Sequence, residues 1–160
     1  MRDIFLQDLE VGKIHEQIIL KKIKLKYSKA YIEDGYCKEW DIYIPELKIG
    51  VEVKSDQKSM HTGNIVIEIE FDNKASALST TKAKFWVIYD GIEYHWFDVS
   101  DINKCINENN LRPTNFTGRG DNKEKKAYLI KKELLYQYET RRHSRKNNKH
   151  NYIWYRKKNS

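Results

Sequence analysis

Residues 40–54 constrain the fold most tightly. They read Trp40-Asp41-Ile42-Tyr43-Ile44, then Pro45-Glu46, then a second apolar run from Leu47 to Lys54. Two β-prone runs that meet at a proline-containing turn predict a tight hairpin. With its centre between Glu46 and Leu47, residues equidistant from that point face each other, so Asp41 stands opposite Glu52. Side chains two apart on a strand share a face. Glu52 and Lys54 then point one way, while Ile49, Val51 and Val53 point the other, towards a core. Buried charge is costly, so two carboxylates and an ammonium converging beside a core strand suggest chemistry. On residue types alone, a surface hairpin with an ordinary Glu–Lys pair remains equally open.

The rest of the pattern predicts a mixed α/β plan around one sheet. Asp8 can cap a helix running to about Lys22, with Val11, Ile14 and Ile18 as its apolar stripe, widened by Leu9, Ile19, Leu20 and Ile23. Residues 25–32 read as a strand, followed by a turn at Glu33-Asp34-Gly35. Residues 64–71 alternate, with Ile65, Ile67, Ile69 and Phe71 set against Val66, Glu68 and Glu70, as a half-buried strand does. Residues 73–84 are polar and suit a short helix or turn. Residues 85–89 are continuously apolar, as in a central strand, and Asp90-Gly91 turns the chain back into a strand over 94–99. A short helix over 100–109 and a loop over 113–122 follow. Ala127, Ile130, Leu134 and Tyr138 fall at helical spacing, which predicts an amphipathic helix over 123–138. The whole is expected to be one domain, residues 1–140, followed by a basic aromatic tail, residues 141–160.

The net charge of the 160 residues is +7. Residues 141–160 hold Arg141, Arg142, Arg145, Lys146, Lys149, Arg156, Lys157 and Lys158 and no acid, so the rest of the chain is close to neutral. With Tyr152, Trp154 and Tyr155 interleaved, that tail suits a phosphate backbone and bases to stack on; a merely solvated tail is the other reading. Cys37 and Cys105 form no metal-ligand spacing and are expected to be inert thiols in a reducing compartment. The charged N-terminus is unlike a signal peptide, and no apolar run reaches membrane-spanning length. A soluble, cytoplasmic protein is expected.

Two carboxylates can hold Mg²⁺, with water and a phosphate oxygen completing its shell. A neighbouring lysine can then orient the attacking water and offset charge in the transition state. Asp41, ten residues, then Glu52-x-Lys54 resembles the signature of the PD-(D/E)XK nucleases. The blocks that follow are similar to those of small phage- and virus-type members: Glu52-Val53-Lys54-Ser55-Asp56, Thr62-Gly63-Asn64-Ile65 leading to Glu68, and Ser79-Thr80-Thr81-Lys82-Ala83 before Phe85-Trp86-Val87. The likeness covers roughly residues 8–98, and Trp40 stands where the signature has proline.

The resemblance implies a restriction-endonuclease-like core, a mixed central sheet flanked by helices. It implies a Mg²⁺-dependent endonuclease (Mn²⁺ as substitute) acting on duplex or branched DNA, in the host cytoplasm if viral and with a homodimer possible. Asp41 and Glu52 would bind metal with the Val53 carbonyl, Glu68 would lie close by, and Lys54 would position water. Glu16, on the first helix, would add a further acid. Lys82, Arg119, Arg141, Arg142, Arg145, Lys146 and Trp154 are the candidate DNA contacts. The alternative is a nucleic-acid-binding protein that keeps the fold without the chemistry. His15, His61 and His95 are scattered and read as structural or solvated, and Trp86 and Trp96 as core.

Overall fold

A computed structural model describes residues 2–35, 39–118 and 122–140, with the backbone alone for residues 2–5. The chain opens with α1, Arg2–Lys24. This helix starts well before Asp8, because Leu6, Gln7, Leu9 and Glu10 are all good helix formers with no proline or glycine among them. Its last turn carries Lys21, Lys22 and Lys24, which suit the negative end of the helix dipole. Only the wider part of the predicted stripe docks, through Ile19, Leu20 and Ile23. His15, Ile19 and Ile23 are buried, whereas Ile14 and Ile18 are exposed.

Residues 25–30 are turns, and the predicted strand over 25–32 shrinks to β1, Tyr31–Ile32. The hairpin forms as expected from β2, Ile42–Ile44, and β3, Ile49–Ser55. Ile42 pairs with Val51, Tyr43 with Gly50 and Ile44 with Ile49, the register predicted from the turn centre. Lys48 takes φ 54° in the turn. After a single helical turn, α2, Ser59–Thr62, comes β4, Asn64–Phe71, which coincides with the alternating segment. A short β5, Lys74–Ala75, and a 3₁₀ turn at Ala77–Ser79 lead to the hairpin β6, Phe85–Tyr89, and β7, Tyr94–Asp98. The helix α3, Val99–Glu108, is capped by Asp98, whose Oδ1 accepts from the Ser100 N–H at 2.9 Å.

The C-terminal third departs from expectation. The predicted loop over 113–122 contains a strand, β8, Thr114–Thr117. The predicted helix over 123–138 is β9, Glu124–Lys131, followed by one helical turn, α4, Lys132–Leu135, and a 3₁₀ turn at Tyr136–Tyr138. β9 lies between β4 and β8, so ladder bonds on both sides outweigh a weak helical period. Ala127 and Ile130 are both buried although alternation sets them on opposite faces of β9, and that three-residue spacing of buried positions imitates a helical period.

The strands form two sheets rather than one. The larger is mixed, ordered β1-β2-β3-β6-β7, with β3 and β6 parallel and the other pairs antiparallel. The smaller is antiparallel, ordered β5-β4-β9-β8. α1 covers one face of the larger sheet, packing Ile19 and Ile23 on Ile42, Ile44, Val51, Phe85 and Val87. The opposite face, with Trp86, Ile88 and Phe97, packs on the smaller sheet through Ile65, Ile67 and Ile130, and on α3 through Ile102, Cys105 and Ile106. Each fully buried branched side chain contributes about 1.5–3 kcal/mol. No helix among the described residues is long and apolar enough to cross a membrane.

Candidate functional site

The hairpin brings Asp41, Glu52 and Lys54 together. In the parallel β3–β6 pairing, Glu52 aligns with Trp86 and Lys54 with Ile88. Both charged side chains therefore share the face that meets the smaller sheet, opposite to α1. The Lys54 ammonium lies 2.6 Å from Glu52 Oε1 and 5.6 Å from the centre of the Trp86 ring. Its side chain is 41% exposed, so a ligand can still reach it.

Asp41 is buried just before β2 begins. Its N–H donates to the Val51 carbonyl at 3.0 Å, and its Oδ2 accepts from the Val53 N–H at 2.8 Å. The carboxylate thus takes an amide in the middle of β3, and this bond fixes it beside Glu52 and Lys54. Trp40 sets its approach. The indole stacks on Tyr43 at 5.0 Å, donates to Glu33 Oε2 at 3.4 Å, and lies so close over Gly50 that a Cβ there would strike the ring. A glycine inside a strand often marks such a close approach, and that was the signal available in the sequence for this support.

Glu68 comes from the other sheet. It sits on β4 where a bulge shifts the register between Glu68 and Glu70, is half-buried, and accepts from the Ser76 hydroxyl at 2.5 Å. Burial lowers the Lys54 pKa, but the charges of Glu52, Asp41 and Glu68 outweigh it and hold the ammonium above its ordinary value. Three carboxylates thus act on one cation. A phosphate could meet that cation, and a divalent ion could share the carboxylates with it.

The remaining candidates differ in how near they lie to this hairpin. Glu16 is half-buried on α1, the helix on the opposite face of the sheet from Glu52 and Lys54. Lys82 is exposed and forms an ion pair with Glu39, two residues before Asp41, so it lies on the flank of the site. Val53 gives its N–H to Asp41 and its side chain to the α1-facing cluster. Arg119, Arg141, Arg142, Arg145, Lys146 and Trp154 lie outside the described residues, as does Cys37. Among the described residues, no three His, Cys, Asp or Glu side chains stand close enough together to hold a metal ion.

A second charged cluster was missed in the sequence, where Asp90 was read only as a turn residue. Asp90 Oδ1 accepts from the Ile92 and Glu93 amides, both at 2.9 Å. Its Oδ2 accepts from the Tyr136 hydroxyl at 2.7 Å and lies 3.2 Å from His95 Nε2 and 3.4 Å from the Lys132 ammonium. His95 Nδ1 lies 3.3 Å from Glu139 Oε2, at ion-pair distance but without hydrogen-bond alignment, and its ring stacks on Tyr136 at 3.9 Å. Burial would raise the Asp90 pKa; the amides, the Tyr136 hydroxyl and His95 hold it well below the usual carboxylate range. Burial would lower the His95 pKa, yet Glu139, then Asp90 and Glu93, raise it. Burial and Asp90 push the Tyr136 hydroxyl up. With His95 almost wholly buried, this cluster serves to lock the β6–β7 turn to the C-terminal turns.

The chain matches no family model, no curated protein and no solved structure.

Proposed function

We propose that the chain is a Mg²⁺-dependent DNA endonuclease with a restriction-endonuclease-like core, acting on duplex or branched DNA. What carries the reading is the convergence of Asp41, Glu52 and Lys54 on one hairpin, with Glu68 close enough to act on the same ammonium. The donor set fits the metal. Mg²⁺ favours oxygen ligands, often uses only one or two carboxylates and keeps several waters. Asp41 and Glu52 would hold it, with the Val53 carbonyl available and Glu68 as an outer partner. When bound, the ion would stabilise charge on the phosphate and acidify a coordinated water.

The chain's own residues do the rest. Lys54, held as a cation by three acids, pairs with a phosphate oxygen and orients the attacking water. Asp41 keeps its position because β3 holds it by the Val53 amide. Lys82 flanks the path of the strand. Glu16 is the candidate this geometry supports least, since α1 covers the other face of the sheet. The basic segment 141–160 supplies affinity for the phosphate backbone.

One observation favours a second reading, a binding protein with the same fold and no catalysis: the positive excess of the sequence lies in residues 141–160, away from the hairpin in sequence. Cleavage of branched, duplex and single-stranded DNA with Mg²⁺ or Mn²⁺ separates the two. Wild type should cut, and Glu52→Ala and Lys54→Ala should each lose about 10²–10³ in rate. Equal cleavage by all three proteins would remove the proposed site. DNA binding without cleavage by any of them would establish the second reading.

A further inference from the structure

We propose that α1 pairs with α1 of a second copy of this chain, antiparallel, through the seam Val11, Ile14, Ile18 and Leu25. The pairing does not depend on nuclease activity.

The helix carries two apolar lines, and the body covers only one. His15, Ile19 and Ile23 face the larger sheet. The second line is left in water: Ile14 is 58% exposed, Ile18 37%, and Leu25, just past the helix end, 90%, while Val11 is half-buried. Steps of three, four and seven residues give a repeat of 3.5, the spacing of a two-helix seam rather than of a broad face laid on a body. Lys21 fills the one polar position within it. A polar residue at a seam position costs stability but fixes register. The first turns also extend past the body, since residues 6–10 are all exposed, Leu6 and Leu9 among them. A partner helix therefore has room to lie alongside.

Charge selects the occupant and its direction. Asp8 and Glu10 flank the seam near its start, and Lys22 and Lys24 near its end. Antiparallel pairing sets acid against base at both ends, whereas parallel pairing stacks like on like. A membrane surface fits less well, because interfacial helices bury a broad apolar face beneath a basic polar one. Here the stripe is narrow and its first half is flanked by acids. At 1.5 Å per residue, a 23-residue helix is about 35 Å long, room for three heptads.

Sedimentation equilibrium of the full chain, from nanomolar into the high micromolar range, tests this. A monomer–dimer equilibrium is expected. Ile14→Glu combined with Ile18→Glu should weaken it by about 100-fold or more. Both positions are exposed, so an unchanged circular dichroism spectrum should accompany the loss. Asp8→Lys with Glu10→Lys, and separately Lys22→Glu with Lys24→Glu, should each self-associate poorly, and an equimolar mixture of the two should recover the dimer. A wild-type chain that stays monomeric throughout overturns the proposal, whether or not it sediments with anionic vesicles. A dimer indifferent to the double isoleucine change overturns it as well, and a mixture that fails to recover overturns the antiparallel arrangement.

Discussion

His95→Phe should be among the most damaging single changes outside the apolar core. The substitution keeps a ring to stack on Tyr136 but removes the cation shared by Asp90 and Glu139, both of them buried. Removing one partner of a buried pair costs about 3–5 kcal/mol. Asp90 keeps two backbone amides, the Tyr136 hydroxyl and Lys132, which softens its share and sets the expectation near the lower end, about 3 kcal/mol. That is a large part of a typical stability of about 5–15 kcal/mol. For a chain of this size it corresponds to a fall in Tm of about 6–12 °C. The pH dependence gives a sharper signature. The folded-state pKa of His95 is raised, so its contribution is complete below about pH 6.5, where the unfolded chain also binds the proton. It is lost as pH rises through the folded value. The gap in urea-unfolding free energy between wild type and His95→Phe should therefore be widest near pH 6 and close at alkaline pH. A gap below about 1 kcal/mol at pH 6, or one that widens with pH, would refute the assignment of His95 as a buried cation.

Three further outcomes are expected. Gly50→Ala should cost about 1–3 kcal/mol, because its methyl group collides with Trp40, and should reduce any metal-dependent cleavage through Asp41; unchanged Trp fluorescence and stability would show that the indole is not held there. Removing residues 141–160 should leave the fold intact, provided that the buried Glu139 and Thr140 are kept, since the Thr140 hydroxyl accepts from the Asp98 N–H at 2.9 Å. DNA binding should weaken, and its salt slope should fall by about 0.9 for each phosphate that the tail no longer neutralises; an unchanged slope would refute the role of the tail. In a Cys37→Ser background, Cys105 should resist alkylation at pH 8 until denaturant is added, because burial, then Glu108, pushes its thiol up to about 11; rapid native-state labelling would contradict its burial.

Local pattern served well where one interaction dominated. The β2–β3 register followed from a turn centre, and β4, β6 and β7 from alternation or a continuous apolar run next to Asp-Gly. It failed where two partners competed for one segment. Residues 124–131 carry a helical period through Ala127 and Ile130, but β4 and β8 both offer them a ladder, and their own sequence holds no trace of that offer. α1 failed in a more instructive way. Both of its apolar lines were visible, and nothing local says which one a sheet will cover. The answer depends on Ile42, Ile44, Val51 and Val87, which meet Ile19 and Ile23 only after the sheet has formed.

The candidate site divides along the same line. Asp41, Glu52 and Lys54 belong to one hairpin, so their meeting was legible from spacing alone. Glu68 reaches Lys54 from a second sheet, and its partner Ser76 lies past the β4–β5 turn, so neither interaction has a local signature. The same distinction bears on Glu16. Helical phase puts it near the docking face of α1, but phase does not say which face of the sheet that helix covers. The docked stripe packs on Val51, while Glu52, the next residue along β3, points the other way. Alternation in β3 thus puts the surface that α1 covers and the Glu52 side chain on opposite faces of the sheet. Glu68 acts on Lys54 from the smaller sheet, on the Glu52 side of β3.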